Sequence, residues 1–298
     1  MFLSTYSLVA KLHRKKRIDL ISSHWVYPDA SSAVIIAKIL NIKVAVHALG
    51  CDINDYIKYY LRRQIIKKTL DYADLIVPVS HALKDVIVNT LHVNTKIEVI
   101  LNGVNQDIFF PVSRTVCREI LSMPLDQKAL LFVGNFQIEK GLEYLLEALS
   151  LVKKSEPDIH LYVIGSGRLQ SRIINKIKRF GLSDNVTLIG RVSHHQLPVY
   201  FSAANYLCLP SLREGCPNVV LESLSCGTPV IASKVGTNPE VVITGIYGYL
   251  HDPMNIIQMA STIVSAFNEN YIENMAPFDW FSWESNTDFT YNAYNKIL

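Results

Sequence analysis

The chain has 298 residues, 49% of them hydrophobic and 18% charged, with a formal charge of +3. That length accommodates two domains with cores of their own, and the apolar content excludes an intrinsically disordered chain. The mild charge, with no Lys/Arg tract interleaved with aromatics, argues against nucleic acid as a partner, and no apolar stretch reaches the roughly 20 residues that span a bilayer.

From the amino terminus, an apolar opening, MFLSTYSLVA, precedes the densest basic run, KLHRKKR at 11–17. A secretory signal places its basic residues first, so a cytoplasmic protein is expected, and the basic amphipathic stretch at 8–17 suits peripheral contact with an anionic inner membrane face. Short β-branched runs then alternate with helix-period stretches. The expected strands are DLISSH (19–24), VAVHA (44–48), LIVPVS (75–80), IEVIL (97–101), ALLFVG (129–134), LYVIG (161–165), VTLIG (186–190), YLCLP (206–210) and PVIAS (229–233). Most are continuous apolar runs, as in strands buried on both faces of a parallel sheet. Between them Leu142, Leu145, Leu146 and Leu149 form a helical core stripe, and Ile256, Ala260, Ile263 and Phe267 form another. Parallel neighbours need crossover helices, so the repeated βαβα pattern predicts an α/β protein of two doubly wound Rossmann-like domains. NGVNQDIFFPVSR (102–114), with a turn at Asn102-Gly103 and a break at Pro111, divides them: residues 1–112 with a closing helix at 281–298 packing back, and residues 113–280.

The five cysteines are odd in number and scattered, without a Cys-x-x-Cys pair, so reduced thiols and no zinc site are expected. His194 and His195 are adjacent but lack a second ligand at i+3 or i+4, which makes them a polar loop opening a helix.

Ligands of open α/β sheets bind beyond the carboxyl ends of the strands. After YLCLP comes REGCPNVVLESLSCGTPVIAS (213–233), in which Glu214 and Glu222 stand with seven residues between them. Pro217 suits the first helical position, Asn218 to Cys226 the helix, and Gly227 the left-handed cap. The helix start, with the N–H groups of Gly215, Cys216, Asn218 and Val219, makes an anion site bracketed by two carboxylates. That combination fits a phosphorylated sugar, whose hydroxyls the carboxylates accept while backbone donors hold phosphate. An ordinary solvated glutamate remains the alternative for each. Lys140, in FVGNFQIEKGLEYLLEAL, stands at the start of the leucine-striped helix, where the dipole disfavours a cation by a few tenths of a kcal/mol and a phosphate would remove the conflict; a tolerated surface lysine explains it equally. GSGRLQ (165–170) lacks the last glycine of the dinucleotide fingerprint.

VGNFQIEKGLEYLLEAL, VIGSGRLQ, LPSLREGCPNVVLESLSCGTPVIASKVGTNPEVV and the closing SWES together resemble the retaining family 4 glycosyltransferases of the GT-B fold. HWVYPDA (24–30), ALGCDIN (48–54), ADLIVPVSHALKD (73–85) and ILNGVNQDIF (100–109) resemble the acceptor-side domain of bacterial members that build surface polysaccharides. The resemblance implies that Glu222 holds the ribose hydroxyls of a nucleotide-sugar donor, Lys140 its diphosphate, and Glu214 the hydroxyls of the transferred sugar. Gly134, Asn135, Arg191 and the stretch from Gly215 through Pro217 to Val219 would complete the donor site, without metal or cofactor. It further implies transfer with retention to a lipid-linked or polysaccharide acceptor.

Three departures from the family pattern stand out. Asn135 occupies a place where many members carry an arginine, so one neutral hydrogen bond replaces a charge. Leu49, before Gly50 and Asp52, occupies a place where many have His or Arg; His47, two residues earlier, is the candidate substitute. The opening strands of the acceptor domain have no counterpart before DLISSH, which would leave that strand as a raw edge. A partner chain supplying those strands, or a non-catalytic donor-binding subunit, are the alternatives to an active transferase. A nicotinamide dehydrogenase is disfavoured by the incomplete GSGRLQ turn, and a sugar-nucleotide epimerase would consume donor without acceptor.

Overall fold

The computed structural model describes residues 2–268, 275, 277–278 and 281–298. The chain forms two compact units, one of residues 1–102, 214–216 and 284–298, the other of residues 103–213 and 217–283. Residues 279 and 280, at the expected end of the donor-side domain, lie outside the described residues. The first division falls at Asn102 and Gly103, before the expected 112, because the segment following Asn102 is bound into the second unit. Val104 donates to the Phe281 carbonyl at 2.7 Å, Ser225 Oγ donates to the Phe109 carbonyl at 2.7 Å, and the fully buried Phe109 ring meets Phe201 at 6.1 Å.

The first unit is built on three parallel strands, β1 (Leu20–His24), β2 (Lys43–Ala48) and β3 (Leu75–Pro78), in that order, with β1 at an edge. Side chains of a strand alternate between faces, and β2 shows the consequence. Val44, Val46 and Ala48 enter the core beneath helices Ser31–Leu40 and Tyr60–Asp71, whereas Ala45 packs with Leu75, Val77 and the closing helix Trp283–Asn295 through Ala293. IEVIL is not a full strand. It follows β3 through Glu98 N–H to Ile76 O at 3.0 Å and Ile100 N–H to Pro78 O at 3.1 Å, but only Ile97 forms a β-bridge.

The second unit holds six parallel strands: β4 (Lys128–Val133), β5 (Ile159–Ile164), β6 (Val186–Gly190), β7 (Tyr206–Leu209), β8 (Val230–Ser233) and β9 (Gly248–His251). Their spatial order is β6-β5-β4-β7-β8-β9, the doubly wound 3-2-1-4-5-6 arrangement. Helix Leu142–Val152 lays Leu142, Leu145, Leu146 and Leu149 on Leu130 and Phe132 of β4, and Ile263 of helix Ile256–Asn268 joins the same core. Each such leucine contributes about 1.5–3 kcal/mol over its exposed state. β9 is absent from the expected strands. Its GYLH sequence has no β-branched residue, and its place is set by Gly248, where a Cβ would overlap the Val230 carbonyl oxygen.

The carboxyl ends of β4, β5 and β6 are tied backbone to backbone. Gly134 N–H donates to Ile164 O at 3.0 Å, Phe136 N–H to Ser166 O at 2.9 Å, and Gly165 N–H to Gly190 O at 2.8 Å. At Gly165, φ is +135° and a Cβ would overlap the Gly134 carbonyl oxygen. GSG therefore answers to close packing of two loops. Gly165→Ala is expected to lower stability in urea unfolding by about 2–3 kcal/mol, from strain and overpacking together; unchanged stability would show that the loops separate without cost.

Candidate functional site

The strand order of the second unit reverses between β4 and β7, and such a reversal opens a crevice beyond the carboxyl ends of those two strands. The loop leaving β4 passes Gly134 and Asn135, makes the short 3-10 turn Ile138–Lys140, and enters helix Leu142–Val152 through left-handed Gly141, φ +69°. Lys140 is thus two residues ahead of the helix, in the turn before it. Its stem lies beside Gly134: a Cβ there would be 3.8 Å from Lys140 Cγ. The loop leaving β7 closes on the same place. A Cβ on Gly141 would overlap the Pro210 carbonyl, Leu212 N–H donates to Glu139 O at 2.8 Å, and Arg213 pairs with the Glu139 carboxylate at 3.4 Å.

Helix Asn218–Ser225 follows, with Cys226 as its C-cap and Gly227 at φ +77°. Pro217 is its N-cap, with extended backbone (φ −74°, ψ 109°), and Asn218 takes the first helical position instead. The proline ring permits that φ, and its missing N–H costs nothing outside the helix. The helix is pinned from below by Ser223 Oγ donating to Thr228 O at 2.9 Å and by the bond from Ser225. Its first N–H groups, at Asn218 and Val219, have no carbonyl within the helix to bond.

Glu222 lies on this helix and is only 7% exposed. Its Oε1 accepts from His194 Nε2 at 3.0 Å. Burial raises the Glu222 carboxyl above its ordinary value, and the hydrogen bond and charge of His194 draw it back. His194 itself opens a 3-10 turn, His194–Gln196, fixed by a capping box between Ser193 and Gln196, and its ring meets Phe109 edge to face at 4.9 Å. The polar loop opening a helix is present as expected, but one of its histidines also partners the buried carboxylate. The capping pattern Ser-x-x-Gln was readable in the sequence; the pairing across 28 residues was not. Arg191 is exposed beyond β6, with Nε donating to Ser166 Oγ at 2.6 Å. Gly134, Asn135, Lys140, Arg191, Pro217, Asn218, Val219 and Glu222 thus all belong to the second unit.

Glu214, Gly215 and Cys216 belong to the first. There Gly215 lies against the loop after β2, where a Cβ would overlap the Leu49 carbonyl oxygen, and Asn54 Nδ2 donates to the Glu214 carbonyl at 3.4 Å. In the same loop Gly50 has φ +146°. Asp52 is fully buried, and its carboxylate accepts from the N–H groups of Gly50 at 2.7 Å, Val26 at 3.0 Å and Leu49 at 3.1 Å. Burial raises its carboxyl and those three donors oppose the shift. The Asp52 side chain is therefore what shapes the loop. His47, on β2, stacks on His24 at 4.2 Å and hydrogen-bonds Tyr294 Oη at 2.7 Å, and Tyr294 in turn meets Ser22 Oγ at 2.6 Å. Among the described residues no three of His, Cys, Asp and Glu are grouped to hold a metal ion.

Comparison with known proteins places this architecture. Anabaena HepE, solved in complex with UDP and glucose, superposes with a TM-score of 0.82 at 19% identity, over 97% of this chain and 82% of that one; the likeness shows the GT-B fold of two Rossmann-like units. Residues 113–296 match the glycosyl transferases group 1, and residues 1–108 match Glycosyltransferase Family 4. The chain belongs to the group 1 glycosyltransferase family. Among relatives, an uncharacterized glycosyltransferase of Methanocaldococcus jannaschii is 29% identical over 95% of this chain and 76% of its own length. The D-inositol 3-phosphate glycosyltransferase of Mycolicibacterium smegmatis is 32% identical over 68% of this chain, which spans only 48% of that protein.

Burial, reinforced by the neighbouring His24, holds His47 down at about 4, against an ordinary 6.5. The unfolded chain binds a proton between those values that the folded chain refuses, so stability is full above the ordinary value and is lost as pH falls toward 4. The shift corresponds to about 3 kcal/mol. Urea unfolding at about pH 7 and about pH 4 is expected to show a loss for the native chain that exceeds the loss for His47→Gln by roughly that amount. Equal losses would mean that His47 titrates normally.

Proposed function

We propose that this chain is a retaining glycosyltransferase that moves a sugar from a nucleoside-diphosphate sugar to a lipid-linked or polysaccharide acceptor. The observation that carries this is the buried Glu222 carboxylate on the helix after β7, at the strand-order reversal, held by a single histidine in a chain of this family. A carboxylate with one oxygen engaged retains acceptor capacity for a pair of adjacent hydroxyls, such as those of a ribose. HepE, with the same fold, is described with UDP and glucose bound, which supports a nucleoside-diphosphate sugar as donor.

Within this reading Lys140 and the N–H groups at the start of helix Asn218–Ser225 hold the diphosphate. Their charge and dipole stabilise the negative charge that grows on it as the bond to the sugar breaks. Glu214 accepts from the hydroxyls of the transferred sugar. The departing phosphate oxygen takes the acceptor's proton as the acceptor oxygen attacks from the same face, so the anomeric configuration is kept. Asn135 contributes one neutral hydrogen bond where an arginine would give two charged ones, which lowers donor affinity.

Calorimetric titration with UDP, GDP, ADP and NAD tests the donor site. One nucleoside diphosphate is expected to bind, and Glu222→Ala to weaken it by about 1–3 kcal/mol, the scale of hydrogen bonds to a charged acceptor. Binding of NAD alone, or of no nucleotide by the folded chain, would overturn the reading.

A further inference from the structure

Glu222 and its partner belong to a closed circuit of contacts. Ser225 stands three residues after Glu222 on helix Asn218–Ser225 and donates from Oγ to the Phe109 carbonyl at 2.7 Å. The buried Phe109 ring meets the His194 ring edge to face at 4.9 Å, and His194 Nε2 returns to Glu222 Oε1 at 3.0 Å. Residues three apart are neighbours on one face of a helix, so the helix that carries the carboxylate also anchors the ring that braces the carboxylate's partner. From the other end, Gln196 Oε1 accepts from the Ser193 N–H at 3.0 Å and fixes the turn on which His194 stands.

Stability alone does not ask for this bracing. The His194 side chain is 57% exposed, and a pair so open to water contributes little to folding. An apolar side chain in place of Glu222 would fill the same position without the cost of a buried carboxylate. The arrangement suits a carboxylate that must stay ionised and hold one orientation. Burial raises the Glu222 carboxyl, and His194 lowers it through its hydrogen bond and its charge. The other titratable groups nearby do neither: Cys226, at the end of the helix, and Cys117 near it are buried thiols that burial raises, and His195 is exposed, with its ring 6.4 Å from that of His194.

We infer that His194 is a positioning residue for the donor nucleotide: it holds Oε1 of Glu222 so that the rest of the carboxylate meets the two ribose hydroxyls, and it keeps that bond when the nucleotide binds. An ionised carboxylate accepts at about four places, so one bond from His194 leaves room for two hydroxyl donors. Nε2 carries the proton of this bond, because the carboxylate only accepts; the neutral imidazole suffices, and the protonated one donates in the same way. With the carboxylate oriented beforehand, less has to be ordered on binding, which favours affinity. The inference rests on the reading of Glu222 as the ribose acceptor.

Calorimetric titration of the full chain with UDP, GDP and ADP, each beside its dideoxy analogue lacking both ribose hydroxyls, tests it. For the ribonucleotide that binds, His194→Ala is expected to weaken binding about tenfold, the scale of a lost hydrogen bond to a charged group, and to weaken its dideoxy analogue by less than about twofold. That retained binding also reports that the variant is folded. His194→Gln, whose amide donates from nearly the place of Nε2, is expected to recover most of the loss, and His195→Ala to change nothing. In a Glu222→Ala chain, adding His194→Ala is expected to have no further effect. Without His194 the Glu222 carboxyl rises further, so ribonucleotide affinity is expected to fall at a higher pH in His194→Ala than in the native chain. The inference is overturned if His194→Ala weakens both nucleotides alike, if its effect persists beside Glu222→Ala, if His194→Gln recovers nothing, if His195→Ala does the same damage, or if the two pH profiles coincide. Should Glu222→Ala weaken ribonucleotide binding while His194→Ala does not, the inference fails and the donor reading stands. Should Glu222→Ala itself be without effect, the donor reading fails and takes the inference with it.

Discussion

A carboxylate taken out of water must be neutralised, paired or ready to bind something, and Glu222 is the place in the second unit where that rule bites hardest. Its helix is fastened at the base by serine hydroxyls, and His194 supplies one directed hydrogen bond. Leaving such a group unpartnered would cost about 1–3 kcal/mol or more. The pairing therefore constrains the segment after β6 as much as the helix after β7, and Phe109 completes it by bracing the imidazole.

That arrangement depends in turn on how the parallel strands end. With β4 and β7 as neighbours, the loops leaving them cross close enough that Gly141 lies against Pro210, while Gly165 lies against Gly134. Backbone at such short range forms a close-packed rim, across which Arg213 pairs with Glu139, with Lys140 and the start of helix Asn218–Ser225 beside it. In the first unit the same economy appears at Asp52, whose carboxylate gathers three N–H groups and so sets the loop against which Gly215 packs. Preorganisation of this kind lets a site stabilise developing charge without rearranging as the reaction proceeds.

Most strands were legible in the sequence because burial on both faces demands continuous apolar runs: VTLIG is a strand from Val186 to Gly190, and YLCLP fails only at Pro210. GYLH was not, since its position comes from the close contact of Gly248 with β8 and not from a run of β-branched residues. IEVIL read as a strand because of its β-branched residues, yet it lies at the border of the sheet with bridge geometry at Ile97 alone. The helix of Glu222 was legible from Pro217 and Gly227 at its ends. What escaped were the tertiary partners: His194 for Glu222, Tyr294 for His47, and the backbone donors for Asp52, each set by the fold and not by local spacing.

A crystal structure of the chain with the nucleoside diphosphate that binds it would test the account most directly. Expected are both ribose hydroxyls on the Glu222 carboxylate, with the phosphates at Lys140 and at the N–H groups of Asn218 and Val219. A nucleotide bound elsewhere, with Glu222 still held by His194 alone, would contradict the assignment of this buried carboxylate to the donor.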